Sequence, residues 1–176
     1  MTTFLLSLVN SNLIAIRNIT VVLPLAIAYG GLAQLLAGMW EFRTGNTFGA
    51  VAFSSFGAFW ISYYILVKVF PVNITKPLAH GVSAYLWGWA IFTTYMFIAS
   101  LRTTGAVALV FLLLAATFIL LAVGDMGSGN IDIHKAGGYV GIATAIAAWY
   151  ASFAAVLNST FGRVLAPVIP LRRDVP

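Results

Sequence analysis

Between Thr104 and Val123 the chain runs for about five and a half helical turns without a charged residue. That matches the roughly 20 apolar residues a helix needs to cross about 30 Å of hydrocarbon. Four more runs approach it: Asn18 to Trp40, Thr47 to Phe70, Ala79 to Leu101, and Ala136 to Leu157, the last with a helical extension expected towards Leu165. Met1 to Leu13 is shorter. At 1.5 Å per residue it spans only about two thirds of the hydrocarbon, and it reads as the remaining half of a first helix. An open sheet edge has no hydrogen-bond partners in lipid, and the runs are continuous rather than alternating, so helices are expected over barrel strands. The expected fold is an all-α integral membrane protein, a bundle of six transmembrane helices whose first helix is truncated.

These runs and their short connections use up nearly all of the 176 residues. With 61% hydrophobic and 7% charged residues, no soluble domain is expected beside the membrane unit. Residues 1–166 read as that unit and residues 167–176 as a short basic cytoplasmic tail. The first residues lack a basic n-region and no small-residue cleavage site follows, so a signal peptide is not expected. Pro24 interrupts the second run, Pro71, Asn73 and Pro77 mark one loop, and Gly124, Gly127, Ser128, Gly129 and Asn130 mark another.

The net charge of +5 is scattered, which fits lipid-headgroup anchoring and not a nucleic-acid surface. With six helices, Arg43, Arg102, Arg163, Arg172 and Arg173 share one side, and Arg17, Lys68, Lys76 and Lys135 the other. The cluster in the tail places both termini in the cytoplasm. Cysteine is absent, which removes disulfides, thiolate metal sites and a cysteine nucleophile.

Polar residues within the spans are few and costly in lipid. Asn10, Asn12, Gln34, Ser54, Ser55, Ser62, Thr93, Thr94 and Thr144 are neutral, and bonding between helices is the simpler role for each. Glu41, Asp125, Asp132 and Asp174 fall at run ends or in loops, so a relay of buried carboxylates is not supported. His80 and His134 also lie near run ends, where solvation is the simpler role. Small residues such as Gly30, Gly31, Gly38, Gly57, Gly137, Gly141 and Ala145 suit close helix contact. Phe56, Phe59, Trp60 and Tyr63 share a face of the third helix, where rings either pack a core or narrow a passage. No phosphate loop, histidine pair or serine–histidine–acid set appears, so neither an enzyme nor a cofactor or metal is expected. Any transport must be passive or driven by an ion gradient.

The stretch Ala28-Tyr29-Gly30-Gly31-Leu32-Ala33-Gln34, the run Ala37-Gly38-Met39-Trp40-Glu41-Phe42-Arg43-Thr44-Gly45-Asn46-Thr47-Phe48-Gly49, and the run Ala52-Phe53-Ser54-Ser55-Phe56-Gly57-Ala58-Phe59-Trp60 carry a resemblance. Lys135-Ala136-Gly137-Gly138-Tyr139, Ala148-Trp149-Tyr150 and Phe161-Gly162-Arg163 extend it. Together these segments resemble the acetate uptake transporter family of bacteria, archaea and fungi, as far as about Pro167. The resemblance implies six helices per protomer, a homohexameric ring, and a pathway through each protomer for acetate and in some members succinate. It also implies a hydrophobic constriction that includes Phe56 and Leu114, with Ala148 facing the pathway and influencing the size of acid accepted. The family's opening Asn-Pro-x-Pro-Leu-Gly-Leu motif, and an aromatic residue of the constriction, have no counterpart here. Either the start is placed too late, which is the expectation, or this form has an incomplete pathway.

The reading is a plasma-membrane carrier or channel for short monocarboxylates, acting by proton symport or by anion permeation. Gln34, Asn46, Thr47, Ser54 and Ser55 are expected to offer neutral hydrogen bonds along the path, with Arg43 and Lys135 drawing the anion to the mouths. Two rivals remain: a non-transporting scaffold or sensor, and a transporter of another small solute such as ammonium.

Overall fold

The structure, a computed structural model, describes residues 1–69 and 76–171, the side chains of residues 69 and 76–80 excepted. Pro71, Asn73, the His80 side chain and the tail cations Arg172 and Arg173 lie outside the described residues. Seven α-helices follow in order: α1 (Thr2–Asn10), α2 (Ile19–Ile27), α3 (Gln34–Thr44), α4 (Thr47–Tyr64), α5 (Lys76–Ser100), α6 (Gly105–Gly124) and α7 (Ile131–Phe161). α2 and α3 are one rod joined by a π-helical turn, Ala28–Ala33, and a second π turn, Ile65–Val69, extends α4. Five helical stretches are long and apolar enough to cross a membrane: Ile16–Thr44, Thr47–Lys68, Gly81–Ser100, Gly105–Gly124 and Ile131–Phe161. α1 adds a sixth, short element.

Several ends differ from the sequence expectation, each for a local reason. α3 runs to Thr44 rather than stopping at Trp40, so Glu41 and Arg43 are helical. Gly45 ends it at φ +79°, a left-handed conformation that glycine adopts freely. α5 begins at Lys76, which puts Pro77 in its first turn and not in a loop. A proline there gives up no intrahelical hydrogen bond. α7 begins at Ile131 rather than Ala136 because the Asn130 side chain accepts from the Asp132 and Ile133 N–H groups. The extension beyond Leu157 forms as far as Phe161 and stops short of Leu165. Gly162 turns left-handed at φ +62°, and the Asn158 side chain accepts from the N–H groups of Leu165 and Ala166, fixing a turn.

Beyond that turn the chain folds back over one end of the bundle. Gly105 N–H donates to Ile169 O at 2.7 Å, Ala106 N–H to Val168 O at 3.2 Å, and Leu171 N–H to Thr103 O at 3.0 Å. The first donors of α6, which a helix cannot satisfy itself, thus find acceptors in residues 168–169.

α6 packs along α5 and α7, α3 along α4, and α1 along α7. In lipid the tails are as apolar as leucine, so close van der Waals contact carries helix association. The α1–α7 contact depends on this. A Cβ at Gly138 would strike the backbone of Asn10 and Ser11, and one at Gly141 would strike the Ser7 side chain. The α3–α4 contact uses Gly38 against Ser54 and Gly57 against the backbone of Leu35. The outward faces carry Leu32, Leu36, Trp40, Ile91, Ile98 and Phe153, apolar and exposed as a lipid-facing surface requires.

Gly138→Val is expected to push α1 off α7 and cost about 1–3 kcal/mol, the usual range for overpacking. Gly88→Ala, where nothing lies within 4 Å of the added carbon, is the control and should be neutral or slightly stabilising. Thermal unfolding of the detergent-purified protein measures both.

Candidate functional site

The bundle encloses a cavity of about 840 Å³. It follows α4 along its whole length, from Phe48 to Tyr63 and on to Leu66, and α6 from Val107 to Asp125. Helices alternate in direction, so these residues belong to both ends of the bundle. Glu41, Asn46 and Thr103 stand at one end, and Asn10, Asp125 and His134 at the other.

Between the ends the wall is neutral. The aromatic face expected on the third helix is present, with Phe56, Phe59, Trp60 and Tyr63 all lining the cavity. Phe56 is buried at the centre of a ring cluster. It lies edge-on to Phe92 at 5.3 Å between centroids, stacked on Phe118 at 6.4 Å, and tilted against Trp89 at 6.0 Å and Phe111 at 6.1 Å. Phe59 continues the cluster towards Tyr85 and Trp89. Each such pair adds about 0.5–1.5 kcal/mol beyond area burial, so the rings form a stiff wall and not a loose plug.

Leu114 of α6 and Ala148 of α7 also line the cavity, as do Gln34 and Asn46. Thr47, Ser54 and Ser55 are not among its lining residues. Thr47 is exposed, and Ser54 points to α3, where Gly38 makes room for its buried hydroxyl. That hydroxyl has no hydrogen-bond partner among the described residues.

Each end holds one carboxylate in a defined contact. At one end Asn46 donates through Nδ2 to Glu41 Oε2 at 2.6 Å, while its Oδ1 accepts from Gly49 N–H at 3.1 Å and caps α4. Arg43 lies outside this contact, 5.7 Å over the Trp40 ring. At the other end His134 Nδ1 and Asp125 Oδ1 are 2.8 Å apart and share a hydrogen bond. From sequence, His134 and Asp125 stood apart, nine residues from each other near run ends. Their pairing comes from the tight α6–α7 turn, where a Cβ at Gly124 would meet the His134 backbone at 2.8 Å.

Some polar span residues serve between helices, as the simpler reading had them. Ser62 shares a 2.7 Å hydrogen bond with Tyr85, and Ser83 donates to Ala122 O at 2.8 Å. Thr93 and Thr94 bond back to carbonyls of their own helix. Ser7 and Thr117 are among the cavity residues that were not singled out from sequence. Ser7 sits four residues after Thr3 and three before Asn10, which places all three on one helical face, and that spacing was the available signal. No group of histidine, cysteine or acidic residues able to hold a metal ion occurs among the described residues.

The sequence profile of the GPR1/FUN34/yaaH family matches residues 1–173. Acetate permease A of Emericella nidulans is 42% identical over 183 residues, covering 96% of this chain and 61% of the permease. The succinate-acetate/proton symporter SatP of Escherichia coli is 37% identical over 169 residues, covering 96% of this chain and 88% of the symporter. The chain therefore spans about three fifths of the fungal relative's length and most of the bacterial one's. Among solved structures, the bacterial acetate channel SatP superposes with a TM-score of 0.87 at 36% identity, over 96% of this chain and 92% of that one.

Asn46→Ala should cost about 1 kcal/mol through loss of the α4 cap. Asn46→Asp keeps the cap but sets a second carboxylate against Glu41, so a lowered melting temperature is expected there too, rising again as the pH falls. Thermal unfolding across pH reads both effects.

Proposed function

This chain belongs to the GPR1/FUN34/yaaH family, and we propose that it carries short monocarboxylates, acetate first, across a membrane through the cavity of each protomer. The observation that carries the reading is the cavity itself, reaching both ends of the bundle with a neutral wall between. The two relatives, one an acetate permease and the other a succinate-acetate/proton symporter, support the substrate class.

The physics of the wall selects the form that crosses. Stripping water from a carboxylate in an apolar surround is costly, and no lysine or arginine is among the cavity's lining residues to offset it. The protonated acid carries no such cost. A neck at Phe56 and Leu114 therefore passes the neutral acid more readily than the anion, and a proton travels with it. In this reading Asn46 meets the substrate at the mouth and Gln34 deeper along the path, Phe56 and Leu114 form the neck, and Ala148 sets the width beside it. Thr47, Ser54 and Ser55 stand away from the cavity and act only through the helices they belong to.

The same reading places the protein in the plasma membrane as a homohexamer with both termini cytoplasmic. Tight glycine contacts within the protomer leave the apolar outer faces for lipid and for neighbouring copies.

Radiolabelled acetate should enter proteoliposomes containing the chain, and unlabelled acetate should compete where ammonium does not. Uptake should collapse with the pH gradient. Uptake that instead follows membrane voltage would identify anion permeation. Phe56→Ala is expected to raise uptake of butyrate relative to acetate by about tenfold or more, the scale at which apolar pockets discriminate methylenes. Unchanged size selectivity would remove Phe56 from the neck.

A further inference from the structure

Three hydroxyl groups from three helices meet on the cavity wall, and the transport reading gives them no role. Thr117 of α6 and Thr144 of α7 stand 3.2 Å apart, Oγ1 to Oγ1, and both residues are buried. Ser7 of α1 reaches the same place. A Cβ at Gly141 would run into Ser7 Oγ and lie 3.3 Å from Thr117 Cγ2. All three residues line the cavity, and Thr117 is one turn along α6 from Leu114.

Their hydrogen bonds do not close. Thr117 Oγ1 donates to Leu113 O at 2.8 Å and Thr144 Oγ1 to Val140 O at 2.9 Å. The Oγ1–Oγ1 contact needs one of those same two hydrogens, so three bonds draw on two protons. Ser7 is only 3% exposed and lies beside them, and one of the three bonds at this spot is always short of a hydrogen. Left unmade inside a protein, such a bond is a standing cost that a ligand relieves.

We infer that Ser7, Thr117 and Thr144 form a neutral subsite for the carboxyl group of the passing acid, just beyond Leu114; this rests on the transport reading given above. The ligand's carbonyl oxygen accepts from Ser7 and from whichever threonine hydroxyl turns away from its helix. The acid's own O–H donates to the other threonine oxygen. Phe118, the next residue on α6, and Trp60 also line the cavity, so hydroxyls and apolar rings occur together in its lining, as polar and apolar ends do in a short monocarboxylate. Asn10, three residues along the same face of α1, offers its amide towards the Asp125 and His134 end. No cation takes part, so binding is weak enough for release, which flux requires. Gly141 is the spacer that lets Ser7 approach the threonines.

The test is the concentration dependence of acetate uptake into proteoliposomes by the full chain. Thr117→Val, Thr144→Val and Ser7→Ala keep volume or nearly so, and each should raise the half-saturating acetate concentration roughly three- to tenfold, the value of one hydrogen bond. Size selectivity, governed at the neck, should not move. Thr117→Ser and Thr144→Ser should recover most of the loss. An unchanged half-saturation in all three variants overturns the subsite while leaving transport standing. An equal shift in the serine and valine variants also overturns it, because packing would then be the cause.

If the chain moves no acetate at all, the transport reading falls by itself. Saturation-transfer NMR with sodium acetate on the detergent-purified chain then decides the subsite. Signal that disappears in the Thr117→Val, Thr144→Val double variant supports it, and signal that is absent in the wild type or persists in the variant overturns it.

Discussion

Lipid supplies no water to a stray backbone amide and no hydrophobic drive to bring two helices together, so this bundle is held wherever side chains are small enough for backbones to touch. Gly138 and Gly141 seat α1 on α7, and Gly38 and Gly57 seat α3 on α4. At Gly138, Gly38 and Gly57 those contacts involve backbone atoms that cannot give way, and at Gly141 the Ser7 side chain. The large residues are left to face inward across the gap between the helix pairs. Phe56, Phe59, Phe111 and Phe118 pack ring against ring there, and the space they leave beside them is the cavity.

The same constraint sets the chemistry of that cavity. Charge is confined to its ends, where Glu41 is held by Asn46 and Asp125 by His134. Between them the polar atoms are amides and hydroxyls, several borrowed by nearby helix carbonyls. A solute that crosses must shed water, and only one that can hide its charge does so cheaply. A weak acid does this by taking up a proton, which links the neutral wall to the proton named in the bacterial relative.

Much of the fold was legible because lipid imposes a long, uniform pattern. The run from Thr104 to Val123 became α6 within one residue at each end, since nothing in it competes with a helix. The ends that moved were governed by single side chains: Asn130 capping α7 earlier, and Asn158 with Gly162 stopping it before Leu165. Glu41 to Thr44 read as a connection because they are polar, but a charged last turn at a membrane surface costs little. The aromatic face of α4 followed from spacing alone, whereas Leu114 and Ala148 came only from resemblance. Thr117, a lone hydroxyl in an apolar helix, was not legible, and Ser7 only through its spacing from Thr3 and Asn10; the meaning of both arises only where α1, α6 and α7 converge at Gly141.

The central claim is that the cavity is open to water from both ends and closed to it at the aromatic centre. The chain has no cysteine, so single substitutions report cleanly. Val107, Leu114 and Leu121 line the cavity at seven-residue intervals along α6, while Leu112 faces outward. In oriented vesicles a membrane-impermeant thiol reagent should label Val107→Cys from one side only and Leu121→Cys from the other, leaving Leu114→Cys and Leu112→Cys slow. Labelling of Val107→Cys and Leu121→Cys from the same side, or of neither, would contradict the account.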